Sequence, residues 1–273
     1  MLRSLYAGIS GMRGFQTKLD VIGNNIANVN TIGYKASRVM FSDILSQTIS
    51  GISRPEEGVR GGVNPRQIGL GSSISSIDVL HTPGSFQTTN VETDLAIDGD
   101  GFFAVKASED QEVPYLTRAG NFTRDAAGQL VTSSGMFVVD EGGAPIIISR
   151  EDYTSFSIGK DGVILGTTPD GTTEEVATIG LVMVQNPGGL KKIGGSLYEI
   201  TGNANLDGQF EYTTPDNADT GSGALLAGQL EMSNVDLTAE FTEMIVAQRG
   251  FQANSRIITT SDDILQELVN LKR

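Results

Sequence analysis

The sequence predicts an α+β protein in which long N- and C-terminal helices form a coiled-coil-like terminal domain around a β-rich middle of antiparallel sandwich or barrel-like type. Three observations predict it. Apolar residues recur at heptad spacing at both ends. Short β-branched and aromatic runs, punctuated by Asp-Gly pairs, fill the middle. The 34 glycines in 273 residues exceed the usual share of about 7%, which points to many turns and short strands. The expected boundaries are 1–34 and 233–273 for the helical domain, 35–85 for a connector and 86–232 for the β-rich domain.

The first element runs from Leu2 to about Val29. Leu5, Met12, Leu19 and Ile26 form one heptad lane and Phe15, Ile22 and Val29 a second beside it. Together they cover about 120° of a helix, an amphipathic seam. Gly8, Gly11 and Gly23 fall near that seam, where a missing side chain lets a neighbouring backbone approach. Each also costs about 1 kcal/mol of helix propensity, so this helix needs partners.

Residues 46–76 are rich in Gly, Ser and Ile and contain Pro55 and Pro65, the signature of an extended connector or long loop. Strand-like runs follow at 95–97, 102–105, 129–132, 136–139, 146–148, 156–158, 163–165, 181–184 and 197–200. Five Asp-Gly pairs begin at Asp98, Asp100, Asp161, Asp170 and Asp207 and supply the positive φ of tight hairpins.

The last element follows Ser233-Asn234-Val235-Asp236, which offers N-cap side chains. A proline-free helix to Arg273 carries Leu237, Met244, Phe251, Ile258 and Leu265 in one heptad lane. A second stripe, Val246, Ala253, Ile257 and Ile264, lies more than about 100° around the cylinder. Two apolar stripes need neighbours on two sides. Periodicity alone allows an intramolecular helix pair on a globular core as well as terminal helices that pair and then pack against other copies.

Composition excludes several chemistries. With no cysteine there is no disulfide framework, thiolate metal site or cysteine nucleophile. The single histidine, His81, rules out a multi-histidine zinc centre and reads as a loop residue without a catalytic task, since no G-x-S-x-G elbow exists. Gly99-Asp100-Gly101-Phe102-Phe103-Ala104 matches the dinucleotide fingerprint in letters, yet a strand follows where a helix N-terminus is required and Asp100 repels phosphate. Asp98 and Asp100 supply too few oxygens for calcium and read as hairpin-turn acids. No enzyme activity and no cofactor are expected.

The formal charge of −14 argues against nucleic acid as a partner. It is uneven: residues 1–50 are +3, residues 233–273 are −2, and the middle is −15. The N-terminus lacks the h-region and cleavage site of a Sec signal peptide. No apolar run approaches the ~20 residues that cross a bilayer, so membrane insertion is not expected.

Asn24-Asn25-Ile26-Ala27-Asn28-Val29-Asn30-Thr31-Ile32-Gly33-Tyr34-Lys35 resembles the N-terminal signature of the bacterial flagellar rod and hook proteins. The run Leu230-Glu231-Met232-Ser233-Asn234-Val235-Asp236-Leu237, continued by Met244 to Arg249 and Gly250 to Ser255, resembles the family's C-terminus. Leu95 to Phe103 and Thr117 to Phe122 are similar to the start of its β domain. The signature positions carried over are Asn24, Asn25, Asn28, Asn30, Gly33, Ser233, Asn234, Gln248 and Arg249. The resemblance implies a homopolymer whose terminal helices line an inner tube, with β domains outside. It implies export by the flagellar type III apparatus and contact with adjoining rod, hook-cap and hook–filament junction proteins. Asn24 and Asn28, four apart and away from the seam, either fix register against neighbours or cap the helix end.

Within the family, Phe41-Ser42-Asp43-Ile44-Leu45, Ser233 to Leu237, Met244 to Arg249 and the ending Leu268-Val269-Asn270-Leu271-Lys272-Arg273 resemble hook proteins. Length points to the distal rod, because many hook proteins carry a further outer domain. A compact hook protein is the favoured reading and a distal rod subunit the alternative. A monomeric secreted β-rich binding module is the alternative of another class.

Overall fold

The computed structural model describes residues 2–52, 61–218 and 220–271. Pro55 of the expected connector and the final Lys272-Arg273 lie outside the described residues. The chain divides into two compact units, one made of Met1–Ala27, Ser37–Val79 and Asp236–Arg273, the other of Asn28–Ala36 and Leu80–Val235. This differs from the boundaries read from sequence: residues 37–79 group with the helices, and 28–36 group with the β-rich middle.

In the first unit, helix α1 spans Leu2–Ala27 and helix α2 spans Leu237–Asn270. Asp236 is the N-cap of α2, and its carboxylate accepts from the backbone N–H of Thr238 and Ala239. A cap of this kind contributes about 1 kcal/mol. Helix α1 ends before Val29, so the second N-terminal lane stops at Ile22 and Val29 sits in the turn that follows. Where a connector was expected, the chain folds back in two antiparallel ladders. Ser37–Asp43 pairs with Ser72–Val79, with an irregularity between Met40 and Phe41, and Ser46–Ser50 pairs with Arg66–Gly69. The first ladder meets α1 through Phe41, whose ring is 5.9 Å from that of Phe15 and fills the space left by Gly14.

The second unit is β-rich. Its largest sheet runs Lys191–Gly194, Leu197–Glu199, Tyr115–Thr117, Phe102–Lys106, Phe137–Val138, Leu130–Thr132 and Phe122–Arg124. Leu181–Val182 also pairs with Phe102–Lys106, and Tyr212–Thr213 pairs with Leu181–Val182. Ser155–Ile158, Val163–Thr167 and Thr173–Thr178 form a three-stranded antiparallel sheet. Two short ladders complete the unit, Leu95–Asp98 with Ala224–Ala227 and Phe86–Thr88 with Gln229–Glu231.

Phe102-Phe103-Ala104-Val105 is the centre of this unit. Its side chains alternate between two cores: Phe103 and Val105 join Leu95, Phe122, Leu130, Ile164 and Leu181, whereas Phe102 and Ala104 join Leu116, Val139, Val182 and Tyr198. A strand buried on both faces reads as a continuous apolar run, which is how it stands in the sequence.

Two expectations fail here for identifiable reasons. The turn at Asp98-Gly99-Asp100-Gly101 is not a hairpin, because Leu95–Asp98 pairs with Ala224–Ala227 and Phe102–Lys106 belongs to another sheet. Its glycines, at φ +124° and +126°, take the chain round a corner between sheets. Ile146 to Ile148 makes only isolated bridges, although Ile146 and Ile148 both enter the core. Among the described residues no helix is long and apolar enough to cross a membrane.

Candidate functional site

Each unit brings part of the sequence signature together. In the first, α1 and α2 run antiparallel along a close seam. A Cβ added at Gly8 would touch Asn254 and Ile258, at Gly11 it would crowd the Asn254 amide, and at Gly250 it would lie 2.6 Å from the Phe15 ring. A Cβ added at Gly23 would meet nothing within 4 Å, so that glycine has no such role. Lys18 pairs with Glu243 at the edge.

The face of α2 withdrawn from solvent is Glu240, Met244, Ala247, Asn254, Ile258, Ser261 and Leu265, spaced by four and three as in a heptad seam except at the exposed Phe251. Only one of its two lanes is apolar. The other, Glu240-Ala247-Asn254-Ser261, is small or polar and was invisible to a search for hydrophobic periodicity. It buries Ala247 and Ser261. On α1, Ile22 is buried and Leu5, Met12, Phe15, Leu19 and Ile26 are half-buried. Leu237 and the whole second stripe, Val246, Ala253, Ile257 and Ile264, stay exposed, as do Gln248 and Arg249.

Register in this unit is fixed by Asn25. Its amide donates to the Ser37 carbonyl and to Glu240 Oε1, each at 2.9 Å, and its carbonyl accepts from Ser37 N–H at 3.0 Å. The side chain is 1% exposed. Burial raises the Glu240 carboxyl above its usual range, partly offset by the Asn25 hydrogen bond. Asn24 is exposed, Asn28 accepts from Thr31 Oγ1 at 3.1 Å, and Asn30 is exposed.

In the second unit the two signature ends meet in a polar clasp. Glu231 is fully buried. Its carboxylate accepts from Lys35 Nζ at 2.6 Å, Gly84 N–H at 2.9 Å and Arg118 Nη1 at 3.4 Å. Lys35 also donates to the Thr82 carbonyl, and Arg118 to that of Gly99. Burial pushes Lys35 below the ordinary lysine range against the raising pull of Glu231, and lowers Arg118 against Glu231 and Asp100.

Asn234 closes the same ring of segments. Its carbonyl accepts from Ala36 N–H at 2.8 Å and its amide donates to Leu80 O and Thr82 Oγ1, each at 2.9 Å. Ser233 Oγ accepts from Val235 N–H. Gly33, at φ +65°, donates to the Glu231 carbonyl and packs on the Arg118–Ala119 backbone. His81 clusters with the Phe102 and Tyr198 rings, at 5.7 and 5.5 Å, and those two rings are 5.9 Å apart. Burial first, then Lys35 and Arg118, lowers its pKa to about 4.

Lys35, Arg118 and Glu231 were not singled out as site residues from sequence. The available signal was a lone charge inside an apolar run, in Tyr34-Lys35-Ala36 and Leu230-Glu231-Met232. Among the described residues no group of three His, Asp or Glu could hold a metal ion. The geometry thus offers closely packed surfaces and buried ionic staples.

Family comparisons match the same stretches. The description "Flagella basal body rod protein" matches residues 5–35, "Flagellar hook protein FlgE/F/G D1 domain" matches 96–166, and "Flagellar basal body rod FlgEFG protein C-terminal" matches 226–271. The chain is 55% identical over 273 residues, all of both chains, to the flagellar basal-body rod protein FlgG of Bacillus subtilis strain 168. The chain belongs to the flagellar rod and hook family. It is a flagellar axial structural protein, and its relatives are structural proteins rather than enzymes.

Other members of the rod and hook family are more distant. The FlgG rod protein of Borreliella burgdorferi is 37% identical over 280 positions, and the FlgE hook protein of that organism 29% over 450, each match covering all of both chains. The family is the one expected, and by identity these rod proteins, at 55% and 37%, are nearer to this chain than the hook protein at 29%, which favours the rod alternative over the hook reading.

Proposed function

We propose that this chain is a subunit of the distal rod, the straight drive shaft of the flagellar base, built as a homopolymer. The observation that carries the reading is the 55% identity to a rod protein along the full length, without the long insertions that stretch the hook alignment to 450 positions. In this reading α1 and α2 line an inner tube as a coiled-coil-like layer and the β-rich unit forms the outer layer. The exposed stripe Val246, Ile257 and Ile264, with Phe241, Ile245 and Phe251, buries against neighbouring copies. The partners are further copies, adjoining axial proteins and the type III export apparatus.

Locating labelled protein in isolated flagellar bases tests this. Label in the straight segment within the envelope is expected. Label confined to the curved segment outside it would overturn the rod reading in favour of the hook.

A further inference from the structure

We propose that the C-terminal end of α2 in one copy docks on the outward face of the first three turns of α1 in a second copy, through an apolar contact ringed by opposite charges. The inference rests on the reading of the chain as a polymerising subunit and names the contact that joins two copies.

The antiparallel register leaves this end of α2 uncovered. Gly8 meets Asn254 and Ile258, and Phe15 meets Gly250, so residue 2 falls opposite about residue 263. Beyond that point Ile264, Leu268, Val269 and Leu271 are exposed, Val269 to 66%. A groove of about 350 Å³ lined by Asp262, Leu265, Gln266, Val269 and Asn270 continues the line of the seam. Matching apolar surface lies on α1, where Tyr6, 69% exposed, and Ile9, 38% exposed, are open to solvent.

Charge identifies the occupant. Residues 2–19 hold Arg3, Arg13 and Lys18 and no acid, while residues 257–271 hold Asp262, Asp263 and Glu267 and no base before the final Lys272 and Arg273. Lys18 pairs with Glu243. Among the described residues Arg3, Arg13, Asp263 and Glu267 form no ion pair, and all four are exposed. Arg3, in the first turn of α1, and Glu267, in the last turn of α2, also oppose the helix macrodipoles. Charges that help neither their own helix nor a partner within the chain fit a contact between chains. The basic, apolar helix face that suits the α2 end is present on every copy.

Charge exchange tests this. One variant carries Arg3→Glu and Arg13→Glu, the other Asp263→Lys and Glu267→Lys, with helix content checked by circular dichroism. Each alone should need about tenfold more protein to polymerise. An equimolar mixture should polymerise like the parent, because every contact between unlike copies then pairs opposite charges. Polymerisation unaffected in both variants would overturn the proposal. So would recovery only when all four changes share one chain, since the charges would then act within a copy. A parent chain that never polymerises under any condition would instead overturn the subunit reading itself.

A second measurement is independent of charge. The chain has no cysteine, so Tyr6→Cys copies mixed with Leu268→Cys copies should give disulfide-linked heterodimers on oxidation of the polymer. Normal polymers without that product would rule the contact out and point to another axial protein as the occupant.

Discussion

Lys35 Nζ lies 2.6 Å from Glu231 Oε1, and the two residues, 196 positions apart, are 1% and 0% exposed. Each ammonium and carboxylate taken out of water costs several kcal/mol, and attraction offsets that only where the remaining hydrogen-bonding capacity is met. Here Thr82, Gly84 and Arg118 meet it. The pair therefore holds the segments around 35, 82 and 231 of the β-rich unit in one arrangement.

Replacing Glu231→Gln leaves two buried cations without their carboxylate. The β-rich unit should lose about 3–5 kcal/mol of stability, read from urea unfolding followed by tyrosine circular dichroism. A loss below about 1 kcal/mol, the range of a solvated pair, would show that water reaches the cluster.

His81 gives this unit a pH dependence. Its folded pKa of about 4 lies below the ordinary 6.5, so between these values the unfolded chain binds the extra proton. Stability should fall as pH drops from 6.5 toward 4 and gain no further loss from this group below that. Unfolding curves of His81→Gln should lack that part of the slope; parallel curves for parent and variant across the window would contradict it.

Asn25→Ala removes three hydrogen bonds at a buried position and leaves Ser37 N–H, Ser37 C=O and Glu240 without them. A cost of about 2–3 kcal/mol to the helical unit is expected, seen as earlier loss of the helical circular dichroism signal.

Gly33→Ala combines a left-handed backbone at φ +65° with a Cβ placed 2.6 Å from the Ala119 nitrogen. Conformational strain alone is about 1–2 kcal/mol, and the backbone contact adds to it. The β-rich unit should melt lower by several degrees, whereas Gly23→Ala in α1, with open space around it, should raise helix stability by up to about 1 kcal/mol.

These contrasts follow how legible the chain is. Local signals read correctly: Asp236 caps α2, Gly8 and Gly11 mark the close seam, and Phe102 to Val105 form a central strand. The turn at Asp98 to Gly101 misled, because Asp-Gly sets a backbone angle and does not specify which strands it joins.

What the sequence alone determined is what acts within a few residues or repeats along a helix: two terminal helices, a β-rich acidic middle, the family signature and the lack of thiols. What only the tertiary structure decided is which distant segments share one buried space. Asn25 sets register because its side chain bonds both Ser37 and Glu240. Glu231 joins Lys35 and Arg118 because folding closes loops of 196 and 113 residues around it. Ion pairs and hydrogen bonds depend on distance in space, and a sequence orders residues only by distance along the chain.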